Sequence, residues 1–137
     1  MVPKPTPIVK AVLLADQVFR QEGNGKWCII GEFDKILAPR FPARHPSLAV
    51  FLKITSAEGE YGVHIEIHDS SDRCVTRIGG LALDAKDRLA TFGVGLQASN
   101  LVLPKAGAYR VRVFFDGVQS TTQDTPFEAR LLEEATR

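Results

Sequence analysis

The sequence lacks a long hydrophobic run, has only two cysteines and carries almost no net charge. Nowhere do the roughly 18 consecutive apolar residues of a membrane-spanning helix occur. Cys28 and Cys74 lie far apart and form no C-x-x-C pair, which excludes a disulfide framework. The formal net charge of +1 lacks the basic excess expected of a nucleic-acid binder. These absences predict a cytoplasmic protein without a membrane span and without a nucleic-acid partner.

The sequence also lacks the motifs of the common enzyme classes. It has no G-x-S-x-G, no P-loop and no G-x-G-x-x-G that opens a helix. An enzyme needs a nucleophile with a base, an acid–base pair or a site for a cofactor. We therefore expect no catalytic residues, no cofactor and a function other than catalysis.

What the sequence does contain is apolar–polar alternation with a period of two, interrupted by turn signals. In a chain of 137 residues this pattern predicts one all-β domain. The spacing of the turns favours a single antiparallel β-sandwich of about seven to eight strands. We expect an extended, proline-rich arm over residues 1–7 and the sandwich over residues 8–137. The late segment "TPFEARLLEE" fits either a final edge strand or a short helix.

The strongest local prediction is a hairpin. "SLAVFLKIT", residues 47–55, and "EYGVHIEIH", residues 60–68, are separated by the turn "SAEG". If Thr55 faces Glu60, the apolar residues of the two strands pair on one face, and Phe51 pairs with His64 on the other. Continuing the meander through "RCVTRI", residues 73–78, places Cys74 in the core and Arg77 outside.

Five segments together resemble a known family. They are, in chain order, "LLADQV", "IIGEFDKI", "FPARHPSLAVFLKI", "GEYGVHIEIHD" and "LPKAGAYRVRVFFDG". The chain from about Val12 to Gly117 is similar to a family of small bacterial all-β proteins known only as a domain of unknown function. The resemblance implies a sandwich-like domain and brings no catalytic residues with it.

Two groups of side chains are candidate metal ligands. His64, Glu66 and His68 occupy alternate positions of one strand, about 6.6 Å apart on one face. Two such histidines can share a zinc ion, yet the predicted partner strand offers only Phe51 and its apolar neighbours. We therefore interpret this face as the solvated side of a strand and expect no metal there.

The second group of candidate ligands is acidic. Asp69, Asp72 and Asp116 lie in predicted turns, and calcium takes carboxylate oxygens from such loops. Aspartate is also a favoured turn residue for its own local hydrogen bonds. We expect no metal here either, and keep a calcium-binding or carbohydrate-binding role for these end loops as the alternative function.

Aromatic side chains and arginines are predicted to share the outer face of the sheet. The residues are Phe51, His64, Val75, Arg77, Arg110, Arg112 and Phe114. Such a mixture is typical of the residues that contribute most to protein interfaces. The leading functional prediction is therefore a non-catalytic interaction module that binds a protein partner or forms a homo-oligomer.

Overall fold

A computed structural model of the protein describes residues 3–135, except for the side chains of residues 100, 121–123, 134 and 135. Its elements are β1 (Ile8–Arg20), β2 (Trp27–Phe33), β3 (Lys35–Ala38), β4 (Ala43–Thr55), β5 (Gly59–Asp69), β6 (Cys74–Ala85), β7 (Phe92–Leu103), β8 (Gly107–Phe115), β9 (Val118–Leu131) and the short helix α1 (Leu132–Ala135). The all-β prediction is confirmed. The described part has nine strands rather than seven to eight. The late segment forms both a strand and a short helix, but the strand, β9, lies between β3 and β8 and is not the predicted edge strand.

The strands form two sheets. The four-stranded sheet has the order β2-β1-β4-β7, and the five-stranded sheet has the order β3-β9-β8-β5-β6. Among the described strands only β3 and β9 pair in parallel. Both sheets are curled and open, so the prediction of one clear sandwich is corrected to two curved sheets around a shared core.

The core is built by the alternating apolar residues of facing strands. Leu52 and Ile54 of β4 are fully buried, as are Ile65 and Ile67 of β5. Each such side chain contributes about 1.5–3 kcal/mol when it leaves water. This burial explains why both segments form strands, since alternation sends every second side chain into one core.

The predicted hairpin between "SLAVFLKIT" and "EYGVHIEIH" is wrong. β4 pairs with β1 and β7, whereas β5 pairs with β6 and β8. Residues 56–58 between them cross from one sheet to the other. The apolar residues of both strands do face inward, but they meet across the core rather than along a ladder. Alternation decides which face is buried and leaves the hydrogen-bonding partner open.

A β-bulge also changes the predicted position of Cys74. In the β5–β6 ladder Ile67 pairs with Thr76, but His68 pairs with Cys74, so Val75 is an extra residue. A bulge of this kind reverses the alternation of the strand that carries it. Thr76 and Ile78 keep their predicted side, whereas Cys74 is exposed beside His68.

The described part of the proline-rich arm lies against one end of the five-stranded sheet. The Tyr61 hydroxyl donates to the Pro5 carbonyl oxygen over 2.6 Å. Lys4 Nζ lies 2.6 Å from Asp116 Oδ2. The division into an arm and one domain stays a prediction, and its ends at residues 1–2 and 136–137 lie outside the described residues. Over residues 3–135 no helix is long and apolar enough to cross a membrane.

Candidate functional site

The predicted interface residues lie on two different sheets. Phe51 is on the outer face of the four-stranded sheet, because its neighbours Val50 and Leu52 face the core. The other predicted interface residues lie on the outer face of the five-stranded sheet. They are His64, Arg77, Arg110, Arg112 and Phe114. The prediction that Phe51 shares a face with His64 depended on the hairpin. Because the two strands belong to different sheets, Phe51 is not part of the outer face that carries His64.

On the five-stranded sheet, two histidines share one carboxylate. Glu66 Oε2 lies 3.1 Å from His64 Nε2, and Glu66 Oε1 lies 2.9 Å from His68 Nε2. The His64 ring stacks on Phe114 with centroids 4.6 Å apart, and His64 is only 7% exposed. We call His64, Glu66 and His68 the histidine–glutamate cluster. Stacking on Phe114 holds the cluster on the His64 side, and the cluster is more buried than the solvated face predicted from the sequence.

Arg112 borders the histidine–glutamate cluster and is paired with acidic side chains. Its guanidinium contacts Asp72 Oδ1, and its Nε lies 3.8 Å from Asp124 Oδ1. Arg110 also lies 3.7 Å from Asp124. Arg77 lies opposite Glu66 in the β5–β6 ladder, but both Glu66 carboxylate oxygens face histidines, and no ion pair joins Glu66 to Arg77 among the described residues. This face therefore neutralises much of its own charge.

Cys74 joins the histidine–glutamate cluster through the bulge. One ligand-type atom from each of Glu66, His68 and Cys74 lies within 4.8 Å of the others. Partial desolvation, followed by the negative Glu66 carboxylate, raises the pKa of the Cys74 thiol. The alternation of β6 predicted that this cysteine lies in the core. The third metal-binding donor on the outer face was therefore not predicted.

The structure does not bring the three aspartates together. Asp116 Oδ1 accepts a hydrogen bond from the Gly62 amide over 2.8 Å, which lowers the pKa of Asp116. Asp69 Oδ1 accepts one from the Arg73 amide over 3.0 Å, which lowers the pKa of Asp69. Gly62 and Asp69 are near opposite ends of β5, about 23 Å apart at normal strand rise. A calcium site shared by Asp69, Asp72 and Asp116 is therefore excluded by their positions.

The outer face of the four-stranded sheet carries a pocket that sequence analysis missed. The sheet curls so that Trp27 lies over the bare backbone of Gly93 and Gly95. The Trp27 and Phe51 rings meet edge to face, with centroids 5.5 Å apart. The adjoining cavity has a volume of about 710 Å³. Its side chains are those of Arg20, Lys26, Trp27, Ile29, Phe51, Lys53, Leu83, Thr91 and Phe92.

We call this cavity the basic aromatic pocket. Among the residues that the structure describes, three cations line it and no acidic side chain does. The Arg20 guanidinium lies 5.7 Å from the Trp27 ring centroid and donates to the Gly25 carbonyl oxygen. In the part of the chain that the structure describes, neither Lys26 nor Lys53 forms a salt bridge. A concave surface lined by one sign of charge concentrates ligands of the opposite sign.

One signal for this pocket was present in the sequence. "GVG", residues 93–95, sets two glycines at alternate positions and so leaves one face of a strand without side chains. Such a gap indicates the close approach of another group. The identity of that group could not be read from the chain, because Trp27 reaches Gly93 only through the curl of the sheet.

Glu66 makes the stability of the protein depend on pH. The hydrogen bond with His68 lowers the pKa of Glu66 most, and the bond with His64 lowers it further. This contribution is complete above pH 4.5, the ordinary value, and is lost as pH falls through the lower folded pKa. We expect Glu66→Gln to cost about 1 kcal/mol at neutral pH and the cost to vanish in acid. Urea unfolding over a pH series measures it.

Glu60→Gln, at the exposed end of the same strand, is the matched control for Glu66→Gln. It removes the same charge from β5 without touching a histidine, so its cost should be small at every pH. If both variants show the same pH dependence, the histidine bonds do not stabilise the Glu66 carboxylate.

A family described only as being of unknown function, DUF6941, matches residues 10–129. No curated protein matches the chain. The resemblance to a family of unknown function is confirmed, and the match extends beyond Val12 and Gly117 at both ends. The bacterial origin stays a prediction.

Proposed function

This chain belongs to the DUF6941 family of unknown function, and we propose that it is a non-catalytic binding module whose site is the basic aromatic pocket. The occupant we propose is an acidic segment of a partner protein, in which carboxylates flank an aromatic or apolar side chain. The observation that carries the proposal is the set of three cations around an aromatic floor, with no acidic side chain among the described lining residues.

The charges of the pocket favour an anionic ligand. Lys26 and Lys53 both line the cavity, and neither has a carboxylate partner among the described residues. An incoming carboxylate would gain hydrogen bonds to charged donors, worth about 1.5–3 kcal/mol each in favourable geometry. Acidic residues in the lining would have offset that gain, and the described part of the lining has none.

The aromatic floor favours a ligand with an apolar part. Trp27, Phe51 and Phe92 line the same cavity. Tryptophan is among the residues that dominate binding energy at protein interfaces, because it buries a large rigid surface. A ligand that presents only a charge would leave this surface in water. The pocket is therefore matched to a segment that combines both features.

The surroundings of the pocket favour a polypeptide. The loop between β6 and β7 reaches the cavity at Thr91, and two residues earlier Leu89 is 87% exposed. A single exposed leucine is ordinary, but this one belongs to the loop that lines the cavity at Thr91. An extended segment can contact the pocket and Leu89 together.

A small-molecule ligand is the second candidate. A volume of about 710 Å³ lies in the range of roughly 300–1,000 Å³ that is usual for small-ligand sites. The calcium-binding or carbohydrate-binding role predicted for the loops at Asp69, Asp72 and Asp116 is not part of this proposal, because the three residues do not share a site. Homo-oligomer formation and a cytoplasmic location stay predictions, and light scattering on the purified chain tests the first.

Trp27 is the sole tryptophan, so its fluorescence reports on this pocket alone. We expect a synthetic peptide with aspartates on both sides of a phenylalanine to change that fluorescence saturably. Lys53→Gln should weaken the peptide about tenfold, the equivalent of about 1.4 kcal/mol. Lys53→Arg should bind nearly as well as the wild type, and raising the salt concentration should weaken binding.

Two comparisons separate the outcomes of this titration. Arg110→Gln removes a cation from the other sheet and should leave peptide affinity unchanged. Replacing the aspartates of the peptide by asparagines should abolish the response, and equal binding of both peptides would contradict the proposal. If a small aromatic sulfonate saturates the pocket and the peptide does not, the site belongs to the small-ligand class.

A further inference from the structure

The outer face of the five-stranded sheet brings three different metal-binding donors to one point. They are a carboxylate oxygen of Glu66, an imidazole nitrogen of His68 and the thiol sulfur of Cys74, all within 4.8 Å of one another. Two elements provide them, since Glu66 and His68 belong to β5 and Cys74 begins β6. This face is on the other sheet from the basic aromatic pocket, so an inference from it is independent of the proposed function.

The sequence and the bulge explain how the donors meet. Alternate positions of β5 carry Glu66 and His68 to the same face. Regular pairing of β6 would have turned the thiol inward, as expected from the sequence. The extra residue Val75 instead brings Cys74 opposite His68 and out of the core. Bulges frequently redirect a side chain in this way at functional sites.

The donor set and spacing fit zinc. Glu66 Oε1 and His68 Nε2 are 2.9 Å apart. Tetrahedral ligands about 2.0–2.3 Å from zinc lie about 3.3–3.7 Å from one another, so a small outward movement opens the space. Sulfur and imidazole donors select zinc-like ions, whereas calcium and magnesium prefer oxygen alone. We propose that Glu66, His68 and Cys74 bind a zinc-class divalent cation on this face.

Neighbouring side chains support this arrangement. When a metal replaces the hydrogen that His68 Nε2 donates to Glu66, the imidazole can carry its proton on Nδ1, which lies 3.3 Å from the Asp72 carbonyl oxygen. His64 holds the second oxygen of Glu66 over 3.1 Å and is itself fixed by stacking on Phe114. His64 is therefore a positioning residue that orients the carboxylate.

The charge balance of the site allows a cation. When the metal binds, the Cys74 thiol loses its proton to solvent and a metal–sulfur bond forms, so the cation meets one thiolate and one carboxylate. Two arginines lie beside the site: Arg112 Nη1 is 3.3 Å from His68 Nδ1, and Arg77 is opposite Glu66 in the β5–β6 ladder. Asp72 and Asp124 contact the Arg112 guanidinium and offset its charge. Three protein ligands leave a fourth position for water or a ligand from a partner.

Cobalt(II) titration of the reduced, untagged full chain tests the proposal. We expect one equivalent to bind, with a near-ultraviolet band from cobalt–thiolate bonding and a visible band from tetrahedral cobalt. Zinc should displace the cobalt and raise the melting temperature, because it binds only the folded state. Cys74→Ser should lose the near-ultraviolet band and bind zinc at least tenfold more weakly. His68→Ala should lose both bands.

Cys28→Ser is the matched control, since Cys28 lies on β2 in the other sheet. It should keep the spectrum and the zinc affinity of the wild type. Cys74 is exposed, so its serine variant should fold, and circular dichroism checks that it does. The proposal is overturned if cobalt gives no thiolate band with the reduced chain, or if Cys74→Ser binds zinc as tightly as the wild type.

Discussion

Replacing Gly79 by alanine is expected to lower the free energy of unfolding by about 2–4 kcal/mol. Gly79 has a φ of +116°, where residues with a side chain are strained. A Cβ there would lie 2.9 Å from the Val63 carbonyl oxygen and 3.0 Å from His64 Cα. Both neighbours are backbone atoms of the adjacent strand, so the clash cannot be relieved by turning a side chain. Urea unfolding followed by circular dichroism measures the loss.

The next residue provides the control for Gly79→Ala. Gly80 lies in the same strand, its φ is not positive, and a Cβ there would meet nothing within 4 Å. Gly80→Ala should therefore change stability by less than about 0.5 kcal/mol. Equal costs for the two variants would show that the strand merely needs flexibility at this point. A large cost at Gly79 alone would show that the close approach of β5 and β6 requires glycine.

The faces of the strands could be predicted from the sequence, and their partners could not. Leu52 and Ile65 were correctly assigned to the core, because burial depends on alternation along a single strand. The hairpin prediction was wrong because the apolar–polar alternation of β4 and β5 is the same whether the strands lie side by side or on opposite sheets. A short turn such as residues 56–58 can close a hairpin or cross between sheets. The pattern alone does not distinguish these outcomes.

The candidate sites were missed for a related reason. One extra residue, Val75, decided whether Cys74 faced the core or His68, and a bulge leaves little trace in an alternating pattern. The basic aromatic pocket depends on Trp27 of β2 reaching Gly93 of β7, two strands that are not neighbours in their sheet. Contacts made by curvature of a sheet depend on its accumulated twist. The histidine–glutamate cluster was visible because all its members belong to one strand.

Replacing Gly93 by alanine is expected to cost about 1–3 kcal/mol, for a different reason from Gly79. The backbone at Gly93 has no positive φ, so alanine fits the local conformation. The cost arises from packing, because a Cβ would lie 2.4 Å from Trp27 Nε1 and 2.7 Å from Phe51 Cε1. The tryptophan must move away, so its emission should change and the acidic peptide should bind more weakly. Urea unfolding and the Trp27 titration measure the two effects.

A double-mutant cycle assigns the Gly93→Ala cost to Trp27. Leucine at position 27 removes the indole ring that lies over Gly93, so Gly93→Ala should cost at least about 1 kcal/mol less in that background. The remaining cost belongs to Phe51, whose ring stays in place. If Gly93→Ala costs the same with Trp27 and with leucine, the indole does not rest on this glycine, and the floor of the basic aromatic pocket is not built as described. A smaller cost in the leucine background would show that the indole ring of Trp27 requires a residue without a side chain at position 93.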